Sequence, residues 1–183
     1  MFQTPKSDQV SLVSQALTAI EYIGSKRIIH RDIASRNCLI NYSDQTQLGH
    51  LELKLCDFGS AIVLPSYRNC LSSDEKTNLN TRHIPPEAIS CKFSLKTDMW
   101  SLGILIWEIF SPGQIPFIGE EWETVEEFQK LLKSGVRPEM VLFEKNAPFF
   151  IKKALDYCLQ PDMNCRASAI KIRNFLTSHE NFC

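Results

Sequence analysis

Apolar residues recur at helical spacing near the start of the chain. They lie three or four positions apart, as on one face of a helix. These residues are Val10, Val13, Leu17 and Ile20. Thr4-Pro5 or Ser7-Asp8 can begin this helix, and Gly24 is the type of residue that ends one. The pattern predicts an amphipathic helix over roughly the first 24 residues.

Strand patterns follow this helix. Ile28-Ile29 is a short pair with high strand propensity, and residues 38–40, Cys-Leu-Ile, resemble a short strand. Residues 51–55, Leu-Glu-Leu-Lys-Leu, alternate apolar and polar positions, which is the period of a strand. The polar residues 42–50 between the last two segments predict a hairpin connection.

The second half of the chain is predicted to be helical. Residues 57 to about 94 show no period, so we expect irregular structure there. Residues 97–110 are apolar on almost every side, which is typical of a helix at the centre of a domain. Three more helical patterns lie near 121–134, 147–160 and 166–178. We therefore predict one mainly α (α+β) domain over residues 1–183.

Composition narrows the classes of function. The 20 basic and 21 acidic residues nearly balance, which gives no support for a nucleic-acid partner. The N-terminus does not resemble a signal peptide, and no apolar run reaches the roughly 20 residues that span a bilayer. Seven cysteines without a C-x-x-C pair indicate free thiols in a reducing compartment. We expect a cytoplasmic protein without membrane insertion.

Candidate chemistry is concentrated in residues 30–37, which read His-Arg-Asp-Ile-Ala-Ser-Arg-Asn. This segment resembles the catalytic loop of protein kinases, and its Ala-Ser-Arg interior resembles the tyrosine-kinase form. The resemblance implies that Asp32 receives the proton of the substrate hydroxyl and that Asn37 holds magnesium. It implies that Arg36 stabilises charge on the transferred phosphoryl group. The alternative is that Arg36 only pairs with a nearby carboxylate.

A second motif, Asp57-Phe58-Gly59, directly follows the second predicted strand of the hairpin. It resembles the kinase triplet whose aspartate binds the magnesium ion on the nucleotide phosphates. Taken alone, it is also a common turn after a strand, because Asp and Gly are favoured there. Its place after Asp32, with a hairpin between them, favours the metal-binding interpretation for Asp57.

Two later segments extend the resemblance. Residues 84–87, Ile-Pro-Pro-Glu, are similar to the A-P-E that closes the kinase activation segment. Residues 98–103 are similar to the D-x-W-S-x-G that opens the buried central helix of that family. The resemblance implies that Glu87 pairs with Arg166 and that Asp98 braces the catalytic loop. Alternatively, Asp98 is a helix N-terminal acid and the other two are surface charges.

Four motifs in kinase order identify the chain as similar to the C-terminal lobe of a protein kinase of the tyrosine-kinase branch. The resemblance implies ATP and Mg²⁺ as cofactors, and a protein substrate or a partner kinase as partner. The remaining motif residues are implied to be structural or regulatory. They are His30, Arg31, Phe58 and Gly59.

The chain also departs from the kinase pattern. Only 29 residues precede His30, and neither a G-x-G-x-x-G loop nor a strand lysine like that of V-A-I-K occurs among them. The N-terminal lobe is thus missing from the pattern, and we expect this chain alone to transfer phosphate negligibly. The alternative function is a pseudokinase-type scaffold or protein-interaction module.

The segment between the second and third motifs departs as well. Family members read P-[VI]-[KR]-W-x-A-P-E, whereas residues 80–87 read Asn-Thr-Arg-His-Ile-Pro-Pro-Glu. His83 is interpreted as packed or solvated rather than catalytic. Tyr67 is a possible phosphorylation site whose phosphate could pair with Arg31. The alternative is an exposed loop tyrosine without a regulatory role.

Overall fold

The computed structural model describes residues 4–43, 50–72 and 80–179. Its α-helices are α1 (Lys6–Ser25), α2 (Pro86–Ile89), α3 (Leu95–Phe110), α4 (Val125–Lys133), α5 (Val141–Asn146), α6 (Phe149–Cys158) and α7 (Ala169–Thr177). Its strands are β1 (Ile28–Ile29), β2 (Cys38–Ser43), β3 (His50–Leu55), β4 (Ile62–Val63), β5 (Leu71–Ser72) and β6 (Lys92–Phe93). Short 3-10 turns lie at Ser35–Asn37, Phe58–Ser60 and Thr81–His83.

The strands form two-stranded antiparallel ribbons. β2 pairs with β3, with Cys38 opposite Leu55, so the predicted hairpin is confirmed. Both strands are longer than predicted, because residues 42, 43 and 50 of the predicted connection belong to them. The rest of that connection, residues 44–49, lies outside the described residues. β1 pairs with β4, and β5 pairs with β6. β4, β5 and β6 lie in the segment that was predicted to be irregular. They were not predicted because a strand of two residues is too short to show a period.

Helix α1 passes through Gly24 and ends at Ser25. The prediction that Gly24 terminates it was therefore wrong by one residue. The left-handed backbone after the helix is at Arg27, where φ is 58°. The Arg27 guanidinium donates to the Leu64 carbonyl at 3.1 Å, and the Leu64 amide donates back to the Arg27 carbonyl at 2.7 Å. These bonds stabilise a conformation that usually favours glycine.

Helix α3 lies at the centre of the apolar core and packs against α1, α5 and α6. It begins two residues earlier than predicted, because Ser94 caps it. The Ser94 hydroxyl accepts from the Lys96 amide at 3.1 Å, and the Thr97 hydroxyl accepts from the Ser94 amide at 3.0 Å. Trp100 and Trp107 are completely buried, as expected for a helix surrounded by other elements.

Three of the four helices that the structure describes in the last third of the chain lie within the predicted ranges. α4, α6 and α7 correspond to the three patterns, each with shorter bounds. α5 was not predicted, because a six-residue helix with one buried residue, Phe143, is too short to show a period. Among the residues that the structure describes, no helix is both long enough and apolar enough to cross a membrane.

Gly103 lies where α3 meets the end of α6, and its position has no room for a methyl group. An added Cβ atom would lie 2.7 Å from Leu159 Cδ2 and 2.8 Å from Cys158 Cβ. We expect Gly103→Ala to lower the free energy of unfolding by about 1–3 kcal/mol, measured by urea denaturation. The overpacking outweighs the gain in helix propensity of roughly 1 kcal/mol.

The matched control is Gly24→Ala in α1, where the nearest atom to an added Cβ, Leu95 Cδ2, is 3.9 Å away. The helix propensity gain is unopposed there, so this variant should be slightly more stable than the parent. Equal effects of the two substitutions would contradict the steric explanation for Gly103.

Candidate active site

The loop between β1 and β2 brings three of the candidate residues together. Asn37 Nδ2 donates to Asp32 Oδ2 and to the Asp32 main-chain oxygen, each at 2.8 Å. The Arg36 guanidinium forms an ion pair with the same carboxylate. The Asp32 side chain remains 22% exposed, so the hydroxyl group of another molecule can approach it from the solvent side. The carboxylate is thus held in position and accessible, as a proton acceptor must be.

Asp98, at the start of α3, holds the loop from behind. Its Oδ2 accepts from the His30 amide at 2.7 Å and its Oδ1 accepts from the Arg31 amide at 3.0 Å. Arg31 has a φ of 67°, a left-handed conformation that costs energy in a residue with a side chain. Complete burial raises the pKa of Asp98 to about 6, while the two amide hydrogen bonds oppose the rise.

His30 connects this loop with the Asp57-Phe58-Gly59 motif. Its Nε2 donates to the Cys56 carbonyl at 3.1 Å, and its Nδ1 accepts from the Asp32 amide at 3.3 Å. One nitrogen therefore donates and the other accepts, which requires a neutral imidazole. Burial lowers the pKa of His30, although the Cys56 carbonyl opposes this effect. The ring centroids of His30 and Phe58 are 4.7 Å apart.

Asp57 lies two residues after the end of β3 and is exposed to solvent. Its φ is 60°, and its Oδ1 accepts from the Gly59 amide at 3.3 Å. The preceding Cys56 amide donates to the Asn37 carbonyl at 2.9 Å, which ties the two motifs together at the main chain. Sequence-predicted residues from separate motifs thus meet at one end of the hairpin.

Asn37 and Asp57 offer an amide oxygen and a carboxylate, the hard oxygen ligands that Mg²⁺ prefers. Within the described residues, no group of three or more His, Cys, Asp or Glu side chains could hold a metal by itself. Because Mg²⁺ demands six oxygen ligands, this pair fits an ion whose other ligands are water and phosphate oxygens. The residues present are therefore compatible with a nucleotide-bound magnesium ion.

Arg166 and Glu87 form a bidentate ion pair. Arg166 Nη1 lies 2.5 Å from Glu87 Oε1, and Nη2 lies 2.8 Å from Oε2. Arg166 Nε also donates to the Gln160 carbonyl at 2.7 Å, and the guanidinium lies 5.1 Å from the centroid of the Trp100 ring. The Arg166 side chain is 0% exposed, so this pair is buried rather than a surface contact.

Sequence reasoning missed Glu108, near the end of α3. Its Oε2 accepts from the Ser35 amide in the candidate catalytic loop at 2.8 Å, and its Oε1 lies 3.0 Å from His83 Nε2. Burial alone would raise the pKa of Glu108, but the hydrogen bonds from His83 and Ser35 hold the pKa below its ordinary value. The sequence did contain one signal. Glu108 is a carboxylate in a helix that is apolar on almost every side, and a buried carboxylate must have polar partners.

Tyr67, the predicted phosphorylation site, lies on an exposed part of the chain between β4 and β5. The Tyr67 side chain is 80% exposed, and the Arg68 guanidinium lies 5.6 Å from the centroid of its ring. Arg31 is buried, donates from Nε to the Ser60 carbonyl and lies 5.2 Å from the centroid of the Phe93 ring. Tyr67 stays a predicted phosphorylation site, and pairing of its phosphate with Arg31 stays a prediction as well.

Comparison with known sequences agrees with this geometry. A sequence profile of the family described as protein tyrosine and serine/threonine kinase matches residues 3–176. The chain belongs to this kinase family. Its relatives place it in the tyrosine-kinase branch.

Three relatives illustrate the similarity. Tyrosine-protein kinase Src64B of Drosophila melanogaster is 36% identical over 125 residues, which are 67% of this chain and 21% of that protein. Mast/stem cell growth factor receptor kita of Danio rerio is 32% identical over 166 residues, 90% of this chain and 16% of the receptor. Vascular endothelial growth factor receptor 1 of Mus musculus is 35% identical over 131 residues, 71% of this chain and 9% of the receptor. The kinase chain therefore spans about a fifth or less of the length of these relatives.

Proposed function

We propose that this chain is the C-terminal catalytic lobe of a protein-tyrosine kinase, and that it acts within a complete kinase domain. The reaction is transfer of the terminal phosphoryl group of ATP to the hydroxyl of a tyrosine in a protein. The observation that carries the proposal is the Asp32 carboxylate, which is partly exposed and is held by both Asn37 and Arg36.

Each residue of this loop has a chemical task in the proposal. Asp32 orients the tyrosine hydroxyl and accepts its proton. Asn37 and Asp57 supply oxygen ligands to magnesium, which neutralises charge on the phosphates when it is bound. Arg36, four residues after Asp32, supplies positive charge near the transferred group. In the structure Arg36 pairs with Asp32, so the incoming phosphoryl group must compete with that carboxylate for it.

The test joins this chain to the upstream part of the kinase domain of tyrosine-protein kinase Src64B, since kinases carry the phosphate-covering loop and the strand lysine there. The purified fusion is incubated with Mg²⁺, labelled ATP, and either a tyrosine-containing or a serine-containing copolymer. We expect label in the tyrosine polymer only. The 183-residue chain alone should give negligible turnover, because half of the phosphate-positioning groups are missing.

The matched control is Asp32→Asn in the same fusion, which keeps the hydrogen bond to Asn37 but removes the base. It should reduce turnover by about a hundredfold, the lower end for loss of a general base. Undiminished turnover in this variant would contradict the role assigned to Asp32.

A second candidate function is a scaffold that binds a substrate or partner kinase without catalysis. The substitutions in residues 80–83 favour it, because the segment that ordinarily supports a tyrosine substrate lacks the family's Pro and Trp. A folded fusion that labels neither polymer, yet binds the tyrosine polymer, would favour the scaffold over the enzyme.

A further inference from the structure

A cavity of about 360 Å³ opens between the C-terminal end of α1, the N-terminal end of α3 and the N-terminal end of α7. Its wall is mostly apolar. The apolar residues are Ile20, Ile28, Leu95, Met99, Ala169 and Ile170. Asp98 also lines this cavity, although its carboxylate accepts the two amides of the candidate catalytic loop. The cavity therefore lies behind the loop and is separate from the exposed Asp32 carboxylate.

The charged groups in the cavity wall differ in how completely other groups of the protein pair with them. The Glu21 carboxylate pairs with Arg173 at 2.7 Å, and both oxygens of Asp98 accept amides, so both acids are already engaged. The Lys96 ammonium has three N–H groups. Among the described residues, it forms one hydrogen bond, to the Arg166 carbonyl. Burial and the neighbouring cations Arg166 and Lys171 lower the pKa of Lys96. A negative charge beside Lys96 would relieve this concentration of positive charge.

We propose that this cavity binds a small amphiphile with an aliphatic or aromatic body and one anionic group. The body packs against the apolar wall, and the anion pairs with the Lys96 ammonium. The volume is at the lower end of the range of roughly 300–1,000 Å³ for small-molecule sites, so the ligand is small. This site is additional to the proposed kinase function and does not depend on it.

Gly24 provides a way to fill the cavity. It lines the wall, and an added Cβ atom there would meet only Leu95 Cδ2, at 3.9 Å. The Cβ atom of a larger residue is therefore accommodated at position 24, and we use Gly24→Leu to place side-chain atoms in the ligand space. Ala169→Leu, on the α7 side of the cavity, fills it independently and keeps the test valid if one variant folds poorly.

The experiment is an NMR titration of the full 183-residue chain with octanoate, 1-octanol and octylammonium, which share one chain length and differ in head-group charge. We expect saturable binding of octanoate that is at least about tenfold tighter than that of octylammonium, with amide shifts at Ile28 and Met99. Gly24→Leu and Ala169→Leu should each weaken octanoate binding at least about tenfold while the urea midpoint stays within the parent's range or rises.

Lys96→Met should remove the preference for octanoate over 1-octanol, whereas Lys171→Met, which changes a neighbouring cation outside the cavity wall, should keep it. The proposal is overturned by the absence of saturable binding, by equal affinity for octanoate and octylammonium, or by filled variants that bind like the parent. It is also overturned if the parent dimerises and Gly24→Leu abolishes the dimer, because a second copy would then occupy the cavity.

Discussion

Replacing Arg166 with methionine is expected to lower the free energy of unfolding by about 3–5 kcal/mol, the cost of breaking a buried ion pair by removal of one partner. The substitution leaves the Glu87 carboxylate, which is 12% exposed, without its cation. It also leaves the Gln160 carbonyl without the 2.7 Å bond from Arg166 Nε. Because small domains are stabilised by only about 5–15 kcal/mol, this loss removes a large share of the chain's stability.

The matched control is Arg173→Met. Like Arg166, Arg173 contacts a glutamate through two nitrogens, here Nε and Nη2 with the Glu21 carboxylate. Arg173 Nε lies 2.7 Å from Glu21 Oε2, but its side chain is 46% exposed. Solvent screening limits such a pair to about 0–1 kcal/mol. Urea denaturation of the two variants side by side therefore separates the effect of burial from the loss of an arginine.

A double variant tests the cause. Removing Glu87 as well, in Glu87→Leu/Arg166→Met, deletes the stranded charge, so the double variant should be more stable than Arg166→Met alone. Additive losses from the two single substitutions would mean that the pair itself is not responsible for the destabilisation.

Much of the secondary structure could be predicted from the sequence, because helices longer than eight residues and a six-residue strand pair carry a clear period. What failed depended on single contacts. Ser94 extends α3 by a side-chain cap, and Arg27 reverses the chain through bonds to Leu64, 37 residues away. α5 has one buried residue and no pattern to detect. Short elements depend on tertiary packing, which local periodicity does not report.

The candidate site shows the same division. Asp32, Asn37, Asp57 and Asp98 stand in motifs with readable spacing, and the structure brings them together around one loop. Glu108 belongs to no motif that the sequence analysis used, and it becomes meaningful only once the fold sets it beside the Ser35 amide, 73 positions away. The apolar cavity behind the loop was equally invisible, since it arises from three helix ends that meet only in the folded chain.

The stability of the chain should depend on pH through Asp98. Its pKa is raised to about 6 from an ordinary value of 3.8, because complete burial disfavours the ionised carboxylate. Between about pH 4 and pH 6 the folded chain therefore binds more protons at this site than the unfolded chain. This contribution to stability is fully present below about pH 4 and is lost as the pH rises through 6, by about 3 kcal/mol.

Other groups contribute with the opposite sign, so the measurement is a difference. The lowered pKa values of His30 and Glu108 make the folded state more stable as the pH rises. Comparing the parent with Asp98→Asn, which cannot titrate at that position, cancels these contributions. From pH 4 to pH 7 the stability advantage of the parent over this variant should shrink by about 3 kcal/mol in urea denaturation.

Hydrogen exchange gives an independent readout, because Asp98 bonds directly to the amides of His30 and Arg31. The ionised carboxylate is the stronger acceptor for both amides. Protection factors at these two amides, corrected for intrinsic exchange and for global stability, should therefore rise between pH 5 and pH 7 in the parent and stay level in Asp98→Asn. Protection that follows global stability alone would contradict the role of Asp98 as the group that holds the loop.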